Sequence, residues 1–549
     1  MTDSDQRFDI SMEIRFQRAN RRRLLGEDLT RNAINFPDRI ALHDIETGWN
    51  ITHQKFESRV NWVARKLLEK GLKTGGRICM LGRNYVDSLT LYYAVSRMGA
   101  IIVPLNYSAN AEELRYIIED CTPSMMAVST EFIDRVDKSL TRSMDIFTYG
   151  PGENDGDLAG WIESGHAEAP DLDIDDRKPV FILYTGGTTG RPKGVALSQA
   201  GYIAMADNTA HALSPQGIGR SDSWLILGPL YHGAALAYSV TGLHFAQTVH
   251  LLREFNAEKA IAAITRGFGT VTWFIPTVSR KTINYIGQTA IPLTDLEGLR
   301  LIISAGAPLS LQLRQELRQT FRRCQVIDIV GQTELTSTLI ALSEPGDIVS
   351  TPTAVGLPMP GISVALMDDE NRLLSAGEVG ELCYQSESLM LGYWNKPEIT
   401  REAMAGGWFH SGDLARRDAS GVISIVGRKK ELIKSGGENI IPNEIEDVLR
   451  QAPGVVDVCV LGLQDRTWGE RVHAVIAIGN VDADLEVIRS GAEAHCRARL
   501  SRYKLPKTWS IIDMLPANAI GKCDKAKLRV LVGDGTKSLD LRGAATAGS

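Results

Sequence analysis

Twelve consecutive residues, Tyr184 to Val195 (YTGGTTGRPKGV), carry three threonine hydroxyls, four glycines and one lysine directly after the apolar run Val180-Phe181-Ile182-Leu183-Tyr184. These residue types suit an anion. Glycine lets backbone N–H groups approach a charged oxygen with no Cβ in the way, while Thr185, Thr188 and Thr189 add side-chain donors and Lys193 adds charge. The chemistry such a loop can perform is the cradling of a polyphosphate. A Walker A loop has its lysine directly after glycine and before serine or threonine. Here Arg191-Pro192 separates Gly190 from Lys193 and Gly194 follows, which argues against a P-loop NTPase.

The elements that must position this loop alternate between strand and helix, which predicts an α/β fold. Arg77–Leu81 and Ala100–Leu105 read as strands, and Val60, Val63, Ala64, Leu67 and Leu68 fall at helical spacing. Leu299–Ile303 and Gln325–Ile329 bracket a segment whose Leu313, Leu317 and Phe321 lie on one face, a strand-helix-strand unit. Three polar clusters follow apolar runs: Thr185–Lys193, Ser304–Pro308 and Gly331–Glu334. In open parallel sheets the carboxyl edge is where ligands bind, so three clusters of matching chemistry predict a nucleotide pocket.

At 549 residues the chain is expected to form two or more domains. A hydrophobic content of 44% with 23% charged residues is that of a soluble globular protein, and a net charge of −6 argues against a general nucleic-acid binder. Arg21-Arg22-Arg23 reads as a solvated helix face. The seven cysteines lack CxxC or CxxH spacing, so neither a zinc site nor a disulfide framework is indicated, and a reducing, cytoplasmic setting is expected. No secretory h-region precedes the first strand, and the last residues are not a peroxisomal SKL. Ser223 to Leu252 contains no Asp, Glu, Lys or Arg; it reads as a buried loop and helix, with a membrane span as the lesser alternative because Gly228-Pro229 and three histidines interrupt it.

Taken with the blocks downstream, the threonine-rich segment resembles the AMP-binding core of the adenylate-forming superfamily, which includes acyl-CoA synthetases, aryl-CoA ligases, luciferases and nonribosomal adenylation domains. The likeness runs from about Leu29 to Leu528. It implies a large N-terminal domain of α/β layers with parallel or mixed sheets (residues 1–427) and a small, mobile α+β C-terminal domain (428–549). By this resemblance Thr185, Gly187, Thr188, Thr189 and Lys193 hold ATP phosphates, Gly306, Ala307 and Pro308 line adenine, and Gln332 and Thr333 contact the nucleotide. Glu334 would hold Mg²⁺, a hard cation suited to oxygen ligands. Asp413, in Gly407–Leu414, would accept the ribose hydroxyls. His232, in Pro229–Gly233, would border the substrate carboxylate, with Ala234–Leu243, Trp273, Phe274 and Pro276 as candidate pocket wall. Two departures stand out: Val330 replaces the usual tyrosine, removing an aromatic platform worth about 1 kcal/mol, and Gly186 replaces a common serine.

The C-terminal blocks point to the acceptor. A boundary is expected within Gly427–Glu431, with Lys430 as hinge and Arg428 as a nucleotide contact by resemblance. In Lys434–Glu446 the paired Gly436-Gly437 leave backbone exposed for a narrow ligand such as pantetheine, and Asn443 with Glu446 reads as a helix start. The form SGGENI-x-P resembles coenzyme A ligases. Lys522, in Leu515–Lys522, would be the adenylation lysine, bridging carboxylate and ATP oxygens. The implied function is ATP- and Mg²⁺-dependent ligation of a fatty, alicyclic or aryl carboxylic acid to CoA through an acyl-AMP. An acyl-AMP ligase serving a separate carrier protein is the alternative, and a nucleotide-binding pseudoenzyme a third reading, opposed by the presence of Lys193, Glu334 and Lys522. A homodimer is left open.

Overall fold

The computed structural model describes residues 23–137, 144–163, 165–186, 191–307, 309–336, 340–341, 354–479, 484–516, 523–533 and 540–541. The chain divides into two compact units, Met1–Ser363 with Gln385–Phe409, and Val364–Tyr384 with His410–Ser549.

The first unit holds two sheets. In the seven-stranded sheet the order is Gly392–Tyr393, Lys193–Ser198, Pro179–Thr185, Ile101–Leu105, Arg77–Leu81, Met125–Ser129 and Asp145–Tyr149. The last five run parallel, while Pro179–Thr185 and Lys193–Ser198 form an antiparallel hairpin. Strands Arg77–Leu81 and Ile101–Leu105 have continuous apolar sequences because they are covered on both faces. In the other sheet Gln325–Val330, Leu301–Ser304, Val271–Phe274, Ser223–Ile226, Thr248–Leu251 and Ile40–Asp44 lie in that order and run parallel. The strand-helix-strand unit is present: Leu311–Thr320 connects two of these strands, capped by Ser310 accepting from the Leu313 N–H, with Leu313, Leu317 and Phe321 buried.

The uncharged stretch contains strands Ser223–Ile226 and Thr248–Leu251 flanking the helix Gly233–His244, every residue of which is buried. A helix apolar all round must be enclosed, and this one packs against helix Gln199–Leu213 and both flanking strands. No helix among the described residues is long and apolar enough to cross a membrane.

In the second unit the strands Ile362–Met367, Val379–Ser386, Phe409–Arg417 and Ile423–Arg428 lie side by side. A five-stranded sheet follows, built of Glu438–Ile440, Ile433–Ser435, Gly469–Ala477, Asp457–Asp465 and Thr508–Ile512. Strand alternation gives it two buried faces. Val458, Val460, Val472 and Ile476 meet helices Pro442–Leu449 and Leu485–Arg497, while Cys459, Leu461, Leu463 and Val475 meet helix Lys525–Val532.

The helix start expected at Asn443 is corrected. Ile441 is the N-cap and Pro442 the first helical residue, a position where a fixed φ and a missing N–H cost nothing. Glu446 is buried instead, accepting the Val460 N–H at 2.9 Å and pairing with Arg450 at 3.1 Å. Ile445 and Leu449 form the buried face as expected.

Candidate functional site

In the first unit the hairpin register sets Thr185 directly opposite Lys193. The chain therefore leaves at Thr185 and returns at Lys193 side by side, at the end of a strand whose Val180–Leu183 are buried. Gly187, Thr188 and Thr189 lie outside the described residues, as do Pro308 and Lys522.

Lys193 reaches toward Tyr393, its Nζ standing 5.1 Å from the ring centroid. The Tyr393 hydroxyl donates to Glu334 Oε1 at 2.9 Å. Residues 390–394 stitch these parts together: the Met390 N–H donates to the Glu334 carbonyl at 2.7 Å, Leu391 N–H to Ala196 at 2.8 Å and Trp394 N–H to Gly194 at 2.7 Å. Burial first, and the Glu334 carboxylate beside it, push the Tyr393 hydroxyl far above its usual range, so it remains a donor. Glu334 itself sits in a single helical turn, Thr333–Leu335, whose N-cap is Gln332 and whose exit, Thr336, is left-handed at φ 51°. The structure thus brings together Thr185, Lys193, Gln332, Thr333 and Glu334, and adds Tyr393. Tyr393 has no role among the residues singled out from the sequence; the aromatic beside Gly392 was the available signal.

Gly306 and Ala307 follow strand Leu301–Ser304, and Gly306 takes φ 85°, where a side chain would be strained. His232 caps helix Gly233–His244, its Nδ1 accepting the Ala234 N–H at 3.3 Å, and its ring stacks on Trp273 with centroids 5.8 Å apart. Trp273 also lies 6.4 Å from Tyr238. Phe274 points the other way, fully buried in the core against Phe321. Of the candidate wall residues, Trp273 thus stands beside His232, whereas Phe274 belongs to the core.

In the second unit Asp413 and Arg428 are cross-strand partners, with Arg428 Nε 2.7 Å from Asp413 Oδ1. The turn before Asp413 is held by Glu381, which accepts the Gly412 N–H at 3.0 Å, contacts His410 at 3.3 Å and receives Lys429 Nζ at 2.9 Å. Burial raises the Glu381 carboxyl, but the Lys429 and His410 hydrogen bonds outweigh it and hold the group below its ordinary range.

Gly436 and Gly437 form the two-residue turn between Ile433–Ser435 and Glu438–Ile440, with Ser435 opposite Glu438. Their φ values of 60° and 86° are those of a type I′ turn, which selects glycine on conformational grounds. A Cβ on Gly436 would meet Trp468 at 2.8 Å, whereas Gly437 opens onto clear space. Trp468 is 44% exposed, and Lys507 Nζ stands 4.1 Å from its ring centroid. Lys434 is exposed on the same hairpin, its N–H donating to Glu470 at 2.8 Å.

Chemically, the described residues of the first unit offer the Thr185 hydroxyl, the Lys193 ammonium and the Glu334 carboxylate close to the two ends of the threonine-rich segment. That donor set fits a magnesium-bound polyphosphate, because Mg²⁺ takes one or two protein carboxylates and fills its remaining positions with phosphate oxygens and water.

Comparison with known proteins agrees with this chemistry. The family described as AMP-binding enzyme matches residues 29–394, and the AMP-binding enzyme C-terminal domain matches residues 444–522. The chain is 30% identical over 516 residues to the indoleacetate–CoA ligase of Aromatoleum aromaticum, covering 92% of this chain and 96% of that one. It is 31% identical over 494 residues to the fatty acid–[acyl-carrier-protein] ligase ScoC of Streptomyces coeruleorubidus, covering 88% and 92%. Among solved structures, ATP-bound MatB from Rhodopseudomonas palustris aligns with a TM-score of 0.83 at 28% identity, over 93% of this chain and 99% of that one.

Proposed function

This chain belongs to the AMP-binding enzymes, and from that premise we propose that it is an ATP-dependent ligase joining a carboxylic acid to coenzyme A through an acyl-AMP. The observation that carries the reading is the convergence of Thr185, Lys193 and Glu334 around Tyr393 at one strand end. In the first half-reaction a carboxylate oxygen attacks the α-phosphorus of ATP and pyrophosphate leaves. In the second the CoA thiol attacks the acyl carbonyl and AMP leaves.

The residue roles are part of the proposal. Thr185, Thr188, Thr189 and Lys193 hold the phosphates, with Gly187 giving them room. Gly306, Ala307 and Pro308 border the base, and Gln332 and Thr333 orient the α-phosphate. Glu334 holds Mg²⁺, which lowers the repulsion between the two reacting anions. Asp413 and Arg428 serve the ribose and phosphate of the nucleotide, and Lys522 brings a compact positive charge to the carboxylate. His232 and Trp273 flank the acid. The apolar Trp273 ring beside His232 supports an aryl or fatty acid over an amino acid.

Lys434, Gly436 and Gly437 face the CoA thiol arm in the second half-reaction. We place the hinge between the two half-reactions at Lys430, in the turn Lys429–Glu431. Seven cysteines present as free thiols support a cytoplasmic setting.

A second reading, transfer to a carrier protein, is favoured by the similarity to a fatty acid–[acyl-carrier-protein] ligase. One experiment separates the two: a panel of fatty, alicyclic and aryl acids assayed for pyrophosphate and AMP release, with CoA, with a phosphopantetheinylated carrier, and with neither. CoA-dependent AMP release is expected. Pyrophosphate release that only a carrier protein accelerates would assign the second reading, and no release with any acid would reject both.

A further inference from the structure

We propose that Glu381, Cys383 and His410 form a binding site for one zinc-class divalent cation, with no residue in common with the Mg²⁺ site assigned to Glu334. All three lie within the second unit. Strand alternation brings the donors together. Glu381 and Cys383 are two apart on Val379–Ser386 and so share a face, and His410 stands on the neighbouring strand Phe409–Arg417. Cys383 and His410 are 27 residues apart, far from the CxxC or CxxH spacing by which zinc ligands are read from a sequence, so the site emerges only once the sheet has formed.

The distances are those of a coordination shell. Cys383 Sγ lies 3.4 Å from His410 Nδ1, His410 Nδ1 lies 3.3 Å from Glu381 Oε2, and the three donor atoms all fall within 4.8 Å of one another. Around a tetrahedral zinc, with Zn–S of about 2.3 Å and Zn–N or Zn–O of about 2.1 Å, a sulfur and a nitrogen stand about 3.6 Å apart and a nitrogen and an oxygen about 3.4 Å. Sulfur and carboxylate oxygen converge here on the same ring nitrogen, which carries at most one proton and so serves only one of them well; a cation among the three serves all. A thiol–imidazole–carboxylate relay would instead use both ring nitrogens, one toward each partner.

The donor set selects the metal. A thiolate with an imidazole and one carboxylate suits zinc, whereas Mg²⁺ and Ca²⁺ take oxygen ligands. Thiolate and carboxylate together neutralise the divalent charge, the imidazole stays neutral, and water takes the fourth position. On binding, the sulfur–metal bond forms as the thiol proton, which in the free protein points to the Glu381 carbonyl 3.6 Å away, leaves to solvent. Glu381 and Cys383 are buried, and the His410 side chain, 13% exposed, is the least enclosed of the three.

One ammonium competes for the same carboxylate. Lys429 Nζ lies 2.9 Å from Glu381 Oε2 and 2.8 Å from Asp369 Oδ1. Lys429 is long and half-exposed, so it can stay with Asp369 and cede Oε2 to the metal. The other oxygen, Oε1, goes on accepting the Gly412 N–H at 3.0 Å. The cation therefore ties the two strands together at the turn that leads to Asp413.

The test uses the full-length protein, stripped of metal and nucleotide, kept reduced with a phosphine and titrated with Co²⁺ and then Zn²⁺. The expected result is one Co²⁺ per chain with a sulfur-to-cobalt charge-transfer band and the intense visible bands of a tetrahedral ion, displaced by Zn²⁺ and indifferent to excess Mg²⁺. X-ray absorption on the zinc-loaded protein is expected to show one sulfur at about 2.3 Å with nitrogen and oxygen at about 2.0–2.2 Å. Cys383→Ala is expected to lose the charge-transfer band, and His410→Gln to weaken zinc binding about a hundredfold or more. Lys429→Gln, which removes the competing charge, is expected to tighten it about two- to fivefold. No stoichiometric binding, a shell without sulfur, a band that survives Cys383→Ala, or an affinity that neither His410→Gln nor Lys429→Gln moves overturns the proposal. The absorption measurement needs no variant, and His410→Gln changes the least enclosed ligand, so the ligand set remains readable should Cys383→Ala fail to fold.

Discussion

Replacing Tyr393 by phenylalanine separates two contacts that the structure places on one side chain. The hydroxyl donates to Glu334 Oε1 at 2.9 Å, while the ring lies 5.1 Å from Lys193 Nζ. Phenylalanine keeps the ring and removes only the donor. A hydrogen bond to a charged group contributes about 1.5–3 kcal/mol net, and the half-buried setting places this one at the low end. About 1.4 kcal/mol corresponds to a tenfold change, so Tyr393→Phe is expected to slow ATP–pyrophosphate exchange about tenfold and to raise the Mg²⁺ concentration needed for half-maximal rate. Tyr393→Ala removes the ring as well and is expected to lose about a further two- to fivefold, the size of an exposed cation–π contact. The decisive measurement is a double-mutant cycle with Glu334→Gln. If Tyr393 acts through the Glu334 carboxylate, Tyr393→Phe has little further effect once that carboxylate is gone. Fully additive losses, or an unchanged Mg²⁺ dependence in the single variant, would refute the coupling.

Lys522→Ala is expected to abolish acyl-AMP formation while ATP binding, followed by calorimetry, persists; an unaltered exchange rate would reject its role. Trp468→Ala is expected to raise the KM for CoA about tenfold through loss of a stacking surface and to leave pyrophosphate exchange unchanged, since Trp468 lies against the Gly436 turn; a matching loss in exchange would show general damage. His244 gives a pH prediction. Burial disfavours its charge, but hydrogen bonds to Asp207 and Asp28 outweigh this and raise it to about 9 from 6.5. A raised value stabilises the fold below the unfolded pKa, and that stability is lost as pH climbs through the folded one, about 3 kcal/mol in all. The melting temperature is therefore expected to fall between about pH 6.5 and 9.5, and His244→Gln to flatten that slope. An identical slope in the variant would assign the loss elsewhere.

Local rules carried much of the fold. Arg77–Leu81 is a strand with the bounds its apolar run suggests, and the Leu313, Leu317 and Phe321 face is buried, because burial on one or both sides writes itself into residue spacing. The uncharged stretch was legible as buried for the same reason. The helix start was misplaced because Asn443 and Glu446 match a capping pattern, but Pro442 suits the first turn better and the sheet claims Glu446 for the Val460 N–H. The Tyr393 contact was not legible. It joins residues 59 positions apart through a strand of two residues, too short to leave a periodic trace. Gly436-Gly437 was legible as a special backbone but not for its full reason: the hairpin needs two left-handed residues, and Trp468 excludes a side chain at the first.

The enclosed helix that begins at His232 is tied down at its far end as well. Arg31 and Asn32 donate to the carbonyls of His244 and Leu243, and Asp28 and Asp207 grip the His244 ring. An element fixed at both tips cannot yield to a longer guest molecule. If the acid lies against His232 and Trp273 as proposed, this helix behaves as a hard ruler, and redesign for bulkier acids would gain more from trimming Trp273 than from loosening the rod behind it.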